Sequence, residues 1–595
     1  MQSTTQSWKE AHQRTMLREA YVEVSLGITD PDAVEDASSQ DNGSAYLSKT
    51  SNVLSEVDKD VVPYSTLEQN LWILNGSRKA LPSMGYNDCG YIGDILSNTN
   101  CEFSDKIPTI TVNFTQVHSN VIPAVTITWG KIYGEFAKDF IVTAYNGNTV
   151  VARKEVINNN SAHTVVMMDI KEYDRITISI LRWCLPNRRA RIEKIYIGMN
   201  KIYTKVELMD YSHTQTADPL STSLPKAEIT FSVDNSTDLY NPHNKDGLYK
   251  YLIERQEVKT RYGQQIDKHN VEWIKGGTFY LSEWNIPQND TKATFTARDL
   301  LEYMSSTFYE GVYSKEGKSL YNLAVQLFEK ANLPSNSNGT LKWNIDESLK
   351  NIYTNAPLPI DTIANNLQLV ANAGGCVFYQ DREGVLNIRP IDTTPSDYEI
   401  NLKYSYSIPE IEVSKPIKQV NVSAYQYFEE TSATELCKAD LDIIGTSEVW
   451  LTYSSMGTDV SATVENGTLV SAEYYANACK LTITGNGTVN VLISGKTLKE
   501  VKTEVTAINN LIGETITLDN PLITSRDRAF IIGEWMRAYL DNRTILKASW
   551  RPDTSLDALD VISVDNNYTS DKVVMTEVSY DYDGTFSGSC EGRVI

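Results

Sequence analysis

Residues 223–244 read SLPKAEITFSVDNSTDLYNPHN. Ala227, Ile229, Phe231 and Val233 alternate with Glu228, Thr230 and Ser232. A side-chain period of two makes this a strand with one buried and one wet face. After Val233 the pattern gives way to Asp, Asn, Ser, Thr and Pro, residues whose short side chains cap their own backbone in turns. Asp234, Asp238, Asn241, Asn244 and Asp246 miss the calcium-loop pattern, which needs Asp or Asn at every second place and a Glu at the twelfth. The segment is therefore a strand followed by a long self-capped loop without a catalytic group.

The same period recurs on both sides. Tyr21–Ile28 reads as a strand, and from 66 to 199 the short strands ITVNF, AVTITWG, DFIVTAYNGNTVVARKEV, RITISIL and RIEKIYIG follow one another without helices. That spacing predicts a β-sandwich, and Asn146-Gly147 suits a type I′ hairpin turn. GGTFYLSEWNIPQNDTKATFTARD predicts a hairpin turning at Pro287–Asp290. The period then changes: Leu320, Leu323, Ala324, Leu327 and Ala331 share one helical face ahead of Pro334. A second helix starts near Pro359, with Ile360, Ile363, Ala364, Leu367 and Ala371 aligned, and stops at Gly374-Gly375. CVFYQDREGVLNIRP after it is a hairpin, which makes 299–400 a small α+β unit. Strands return in KQVNVSAYQYF, TILKASW, LDVISV and KVVMTEVSYDY, with a helix at about 525–541. The Ser/Thr/Gly/Val-rich stretch 431–520, with KLTITG and TVNVLIS, reads as an inserted immunoglobulin-like module.

Composition narrows the function. The 595 residues carry 54 basic against 76 acidic side chains, a net charge of −22, which disfavours nucleic-acid binding because there is no basic stripe to replace counterions. DNA is admissible only as passing cargo. No stretch approaches a membrane span, the apolar run 529–536 being broken by Gly533 and Glu534, and the first twenty residues hold no apolar signal core. Seven cysteines lack CxxC spacing, and His12, His118, His163, His213, His243 and His269 stand alone, so no metal site is expected. Gly495-Lys496-Thr497 lacks the P-loop's first glycine, Asn490 standing in its place. No catalytic residue or cofactor is assigned, and the expectation is a protein that is not an enzyme. LPNRRAR at 185–191 is read as salt-bridged structure in preference to an anion site. Thirty-four tyrosines and ten tryptophans against thirteen phenylalanines favour rings with a polar handle, which suit interfaces and sugar platforms. Trp129, Tyr133, Trp183, Tyr86 and Tyr91 are the candidate carbohydrate-binding residues, with core packing as the competing reading.

The order SLPKAEITFSVDNSTDLYNPHN, YLIERQEVKTRYG, EWIKGGTFYLSEWNIPQNDTKATFTARDLLEYM resembles bacteriophage tail and baseplate hub proteins. The likeness is to those of Gram-positive phages and prophages, and to the N-terminal hub region of tail-associated lysins. LQLVANAGGCVFYQDREGVLNIRP resembles that family's helix-then-hairpin element, and ILKASWRPDTSLDALDVISV with KVVMTEVSYDYDGTFSGSCEGR its closing strands. The resemblance covers roughly 200–430 and 520–595. TITWGKIYGEFAKDFIVTAYNGNTVVARKEV resembles a discoidin-like jelly roll, a module that in some proteins binds carbohydrate.

The resemblance implies a mainly β fold with a small α+β domain, two hub-type β-barrels, an inserted jelly-roll sandwich and the immunoglobulin-like insert. Its divisions are 1–65, an N-terminal helix and first-barrel strand; 66–199, the jelly roll; 200–298, barrel one; 299–400, the α+β domain; 401–430 with 521–595, barrel two; and 431–520, the second insert. It implies a homotrimer at a virion tail tip, assembled in the bacterial cytoplasm, that adapts a sixfold tube to the host-recognition apparatus. Expected partners are a distal tail or tube protein, the tape measure protein, receptor-binding or tail-fibre proteins, and host cell-wall carbohydrate. The alternative is a glycan-binding tail protein acting through the jelly roll. Lysins of this kind carry peptidase or glycosidase domains after the hub, whereas this sequence stops at Ile595, so lytic activity is not expected. Asp234, Asp238, Tyr240, Asn241 and Asn244 are the expected subunit or partner contacts, because a rigid loop at a strand end can present them.

Overall fold

The structure, a computed structural model, describes residues 1–595 except 15–18, 43–49, 55–63, 69, 81–89, 131–132, 269, 288–290, 332, 334–341 and 509. Tyr86, His269, Pro334 and most of the 287–290 turn lie outside the described residues. The fold is mainly β, and the longest helix, Arg526–Asp541, has 16 residues. The three longer helices begin where a hydroxyl accepts from the free backbone N–H of the third helical residue: Ser319 from Asn322, Thr362 from Asn365, and Ser525 from Arg528.

One thirteen-stranded sheet organises the molecule. Its first half runs Gly198–Tyr203, Ala20–Thr29, Glu257–Gln265, Val271–Asn285, Lys292–Arg298, Lys226–Asp234, Leu208–Thr216. Its second half continues with Ser570–Tyr582, Phe586–Val594, Thr544–Trp550 and Glu410–Val413, while Val561–Asp565 lies beside Ser570–Tyr582 and Glu399–Ile400 beside Val561–Asp565. The halves join where Leu208–Thr216 pairs antiparallel with Ser570–Tyr582, Tyr211 facing Tyr582 and Thr216 facing Glu577. They also share one core: Phe231, Val233 and Phe295 of the opening strand's neighbourhood cluster with Trp550, Val578 and Tyr580.

The halves repeat each other in detail. In the first, the ladder between Val271–Asn285 and Lys292–Arg298 slips at Ser282, whose hydroxyl donates to Thr296 O (3.2 Å). Beside it, Leu281 N–H donates to Gln256 O (2.8 Å) and Leu281 O accepts from Arg255, which sits at φ 68°. In the second half the slip falls at Thr576, whose hydroxyl donates to Glu591 O (3.2 Å). Met575 N–H donates to Asp560 O (3.0 Å) and its carbonyl accepts from Leu559, at φ 75°. A β-bulge with a left-handed non-glycine residue beside it is an uncommon combination. Leu281, Ser282 and Glu283 thus correspond to Met575, Thr576 and Glu577.

Between Thr29 and Gly198 the chain leaves this sheet to build a sandwich with its own core. The five-stranded layer has the order Ser38–Asp41, Thr109–His118, Tyr173–Trp183, Ala137–Asn146, Thr149–Val156. The three-stranded one has His163–Ile170, Ile122–Thr128, Lys194–Tyr196. Because Ser38–Asp41 pairs with Thr109–His118, and Ala33 and Val53 join the core, this module starts well before residue 66. Thr29 faces Gly198 where the chain re-enters the main sheet. Gly198 has φ 135°, and a Cβ there would collide with Ile28 O, so only glycine fits. The hairpin has Asn146 facing Thr149, so its two central residues are Gly147 (φ 57°) and Asn148. Positive φ at the first of these alone makes a II′-like turn in place of the expected I′.

The stretch 431–520 corrects the immunoglobulin-like expectation. KLTITG and TVNVLIS belong to one strand, Ala478–Ile508, flanked by Ile417–Thr452 and Gly457–Tyr474. These three strands, with Ala478–Ile508 in the middle, double back on themselves at Gly445, Gly467 and the Gly485–Gly487 corner, where Gly457–Tyr474 skips residues of its partner. Their far end returns to their base: Ser454 N–H donates to Leu436 O (2.9 Å) and Leu498 N–H to Met456 O (2.8 Å). Leu436, Ile443, Leu481, Ile483, Val491 and Ile493 fill the fold. A glycine corner lets long strands make two layers without the Greek-key crossings of an immunoglobulin domain. The near ends of the long strands pack with the Arg526–Asp541 helix on the α+β core, with Val420, Val422, Ala507 and Ile532 joining Leu323, Leu367 and Phe378. Residues 417–430 and 521–541 accordingly belong to the α+β layer, not to barrel two.

Candidate assembly surfaces

The joint between the two halves is a buried polar site. Arg382, from the Asp381–Gly384 turn of the α+β hairpin, reaches into it and is 4% exposed. Its Nε donates to Asp557 (2.6 Å), Nη1 to Lys275 O (2.8 Å) and Nη2 to Leu556 O (2.7 Å). One guanidinium thereby fixes the hairpin to both halves of the sheet. Burial alone would lower its pKa, but the charge of Asp557, then Tyr580 and Tyr262, holds it above its ordinary value. Tyr580 OH donates to Leu556 O (2.7 Å), and the Tyr262 hydroxyl bonds Tyr211 (2.8 Å) and His213 Nδ1 (2.8 Å).

His213 is buried there, and its pKa falls to about 3, first through burial and then through the Arg382 charge. The unfolded chain protonates this histidine near pH 6.5 and the folded chain does not. Stability from this group is therefore complete above pH 6.5 and is lost as pH falls toward 3, at roughly 1.4 kcal/mol per pH unit. Chemical denaturation at pH 7 and pH 4.5 should show His213→Phe losing about 2 to 3 kcal/mol less than the parent chain over that interval.

The 234–247 loop is a run of turns stepping three residues at a time: Asp238 N–H donates to Asn235 O, Asn241 to Asp238, Asn244 to Asn241, and Gly247 to Asn244. Side chains lock it, Asn235 Oδ1 accepting from Tyr240 N–H, Asn241 Oδ1 from His243 N–H, and Asn244 Oδ1 from Asp246 N–H. Asp234 and Asp238 are exposed, and Asn241 and Asn244 half-buried. Tyr240 is a correction to the expected contact set. It is 1% exposed, packs edge-on against Phe295 and bonds the Tyr203 hydroxyl, so it anchors the loop from within.

The sandwich corrects three of its five candidate sugar-stacking rings. Trp129, Trp183 and Tyr91 are buried, with no ring face left for a ligand. Trp129 Nε1 donates to Thr164 (2.9 Å) and Trp183 Nε1 to Glu135 (3.0 Å). Tyr133 is half-buried and donates to Tyr64 O (2.6 Å). Glu135, 2% exposed, also accepts from Arg188 Nε (2.8 Å) and Arg191 Nη1 (3.2 Å). Arg191 also pairs with Glu68 and donates to Tyr64 OH (3.0 Å). Burial pushes against its charge, but Tyr64, Glu68 and Glu135 hold its pKa above the ordinary value. The basic run 185–191 is thus internal ion pairing.

Among the described residues no three His, Cys, Asp or Glu side chains gather to hold a metal, and burial pushes the Cys376 and Cys590 thiols up to about 12, far from a nucleophilic thiolate. No helix among the described residues is long and apolar enough to cross a membrane.

No protein-family model matches the chain, and no curated protein matches its sequence. Among solved structures it is similar to the 43 kDa tail protein of prophage MuSo2 from Shewanella oneidensis, with 11% identity and a TM-score of 0.37 over 66% of this chain and 95% of that one. A tail protein from Neisseria meningitidis MC58 gives 9% and 0.37 over 66% and 93%. The prophage tail protein gp18 from Listeria monocytogenes EGD-e gives 8% and 0.36 over 67% and 92%. Likeness this weak carries no argument about what the chain does.

Arg382 and Glu135, the two residues that organise their sites, gave no separate sequence signal. Arg382 sits in the Asp-Arg-Glu-Gly turn, where a charged residue ordinarily faces water. Trp72, 48% exposed on the loop that Glu68 anchors, is the tryptophan that solvent reaches most freely on the sandwich.

Proposed function

We propose that this chain is a structural hub at the tip of a phage or phage-derived tail, working without catalysis. Three copies form the ring, each giving two β units, so that threefold packing meets a sixfold tube. The ring lies between the distal tail or tube protein with its tape measure and the receptor-binding proteins, and DNA passes through as cargo. The observation that carries this reading is the internal repeat, two like β units joined edge to edge in a single sheet with matching bulges at Ser282 and Thr576. The sequence resemblance over 200–430 and 520–595 supports it independently.

The acidic composition suits a passage that does not retain DNA, since like charge repels the phosphates within a Debye length of about 8 Å. The discoidin-like sandwich is read as a module carried on the hub's first half. The glycan-binding alternative keeps, among its described rings, only the half-buried Tyr133, and no observation favours it over the hub. Cryo-EM of tail tips decides the matter: density for six β units around the axis from three copies is expected, and particles lacking the chain would overturn the reading.

A further inference from the structure

We propose that the Glu410–Val413 strand of one copy pairs with the Ser282–Ile286 segment of a second copy, repeating between chains the joint that Leu208–Thr216 and Ser570–Tyr582 make within one. This rests on the hub reading and specifies how its copies meet. Within the chain, one side of Ser570–Tyr582 has two successive neighbours. Val561–Asp565 covers it as far as Val574, and Leu208–Thr216 covers it from Glu577 to Tyr582. The equivalent strand, Val271–Asn285, is covered by Glu257–Gln265 as far as Tyr280 and by Arg255 and Gln256 at Leu281. Beyond that, no described strand pairs with Ser282–Ile286 on that side.

The missing neighbour has a counterpart at the other end of the sheet. Leu208–Thr216 lies next to Lys226–Asp234, and the strand in the same position beside Thr544–Trp550 is Glu410–Val413. Among the described residues it ends the sheet with its outer edge unpaired, and all four of its residues are exposed. An uncovered strand edge is a template for another chain. Ile411 is 48% and Val413 58% exposed, and the adjoining loop shows Leu511 and Ile512 to solvent at 95% and 76%.

The repeat also sets the register. His213 faces Ile229, which faces Ala297 opposite Leu281, and Ile411 faces Leu546, which faces Gly592 opposite Met575. His213 therefore corresponds to Ile411, and Gln215 to Val413. Inside the chain Gln215 faces Val578 and His213 faces Tyr580. Carried over, Val413 faces Trp284 of the second copy, Ile411 faces Ile286, and Ser414 faces Glu283. Trp284 and Ile286 are themselves only partly buried, so the pairing covers apolar side chains on both strands.

The test is disulfide trapping in the purified full-length chain. Ser414→Cys with Glu283→Cys should cross-link copies under mild oxidation. Glu412→Cys with Glu283→Cys, two residues out of register, should link at least tenfold less. Ile411→Asp with Val413→Asp, at positions the lone chain leaves exposed, should weaken self-association roughly tenfold or more while unfolding stays unchanged. Light scattering on the same samples separates the two ideas. A multimer whose paired cysteines remain unlinked overturns this interface and leaves the hub standing. A chain that neither links nor associates at tens of micromolar overturns the interface too, with the hub then judged by its presence in particles.

Discussion

Replacing Arg382 with Met is expected to lower the unfolding transition of the shared sheet by roughly 6 to 20 °C and to leave that of the inserted sandwich in place. The guanidinium is buried, and its removal leaves Asp557 without its cation and takes a donor from the carbonyls of Lys275 and Leu556, the latter keeping the Tyr580 hydroxyl. Breaking one side of such a pair costs about 3–5 kcal/mol, because the remaining charge keeps its desolvation penalty without its partner. Exchanging both members for apolar residues of like volume often restores stability, so Arg382→Met with Asp557→Leu should regain most of the loss. Calorimetry suits the measurement, since separately packed cores unfold as separate transitions. Hydrogen exchange adds location: amides of Leu208–Thr216 and Ser570–Tyr582 should lose protection first. An unchanged shared transition would mean that strand pairing alone joins the halves.

The two-residue alternation at Ala227–Val233 and the helical faces of 320–331 and 360–371 were legible because each reports a local backbone period. The same logic places Trp129, which continues the apolar alternation of Val125 and Ile127 against Thr126 and Thr128. Trp183 had no such signal. Ile176, Ile178 and Ile180 are buried on one parity, and irregular pairing at Arg182 and Trp183 then shifts the tryptophan inward. Tyr240 was hidden for a related reason, since three-residue turns have no side-chain period that sequence patterns track. Length misled in the 431–520 region. Glycines that interrupt the apolar pattern mark strand ends in a sandwich, but here they are corners within strands of 36 and 31 residues. The joint between the halves could not be read at all, because its partners lie some 365 residues apart.

Glu135→Ala should act on the opposite transition, lowering that of the sandwich by a similar margin while the shared sheet melts unchanged. Glu135 is the acceptor common to Arg188, Arg191 and Trp183, and none of these reaches water freely. Without it, Arg188 loses its ion pair and Arg191 keeps only the carboxylate of Glu68, whose other oxygen is already held by Arg189 N–H (2.7 Å). An uncompensated buried charge costs about 3–5 kcal/mol. Glu135→Gln keeps the shape and one acceptor but not the charge, and so should fall between the two. That ordering separates electrostatics from packing: equal losses for Ala and Gln would assign the whole effect to charge. No loss in either would mean that Glu68 alone neutralises the pair of arginines. Because the chain leaves for the sandwich after Ala20–Thr29 and re-enters at Gly198–Tyr203, two strands paired within the shared sheet, a loosened sandwich that left the proposed self-association intact would identify it as a carried module.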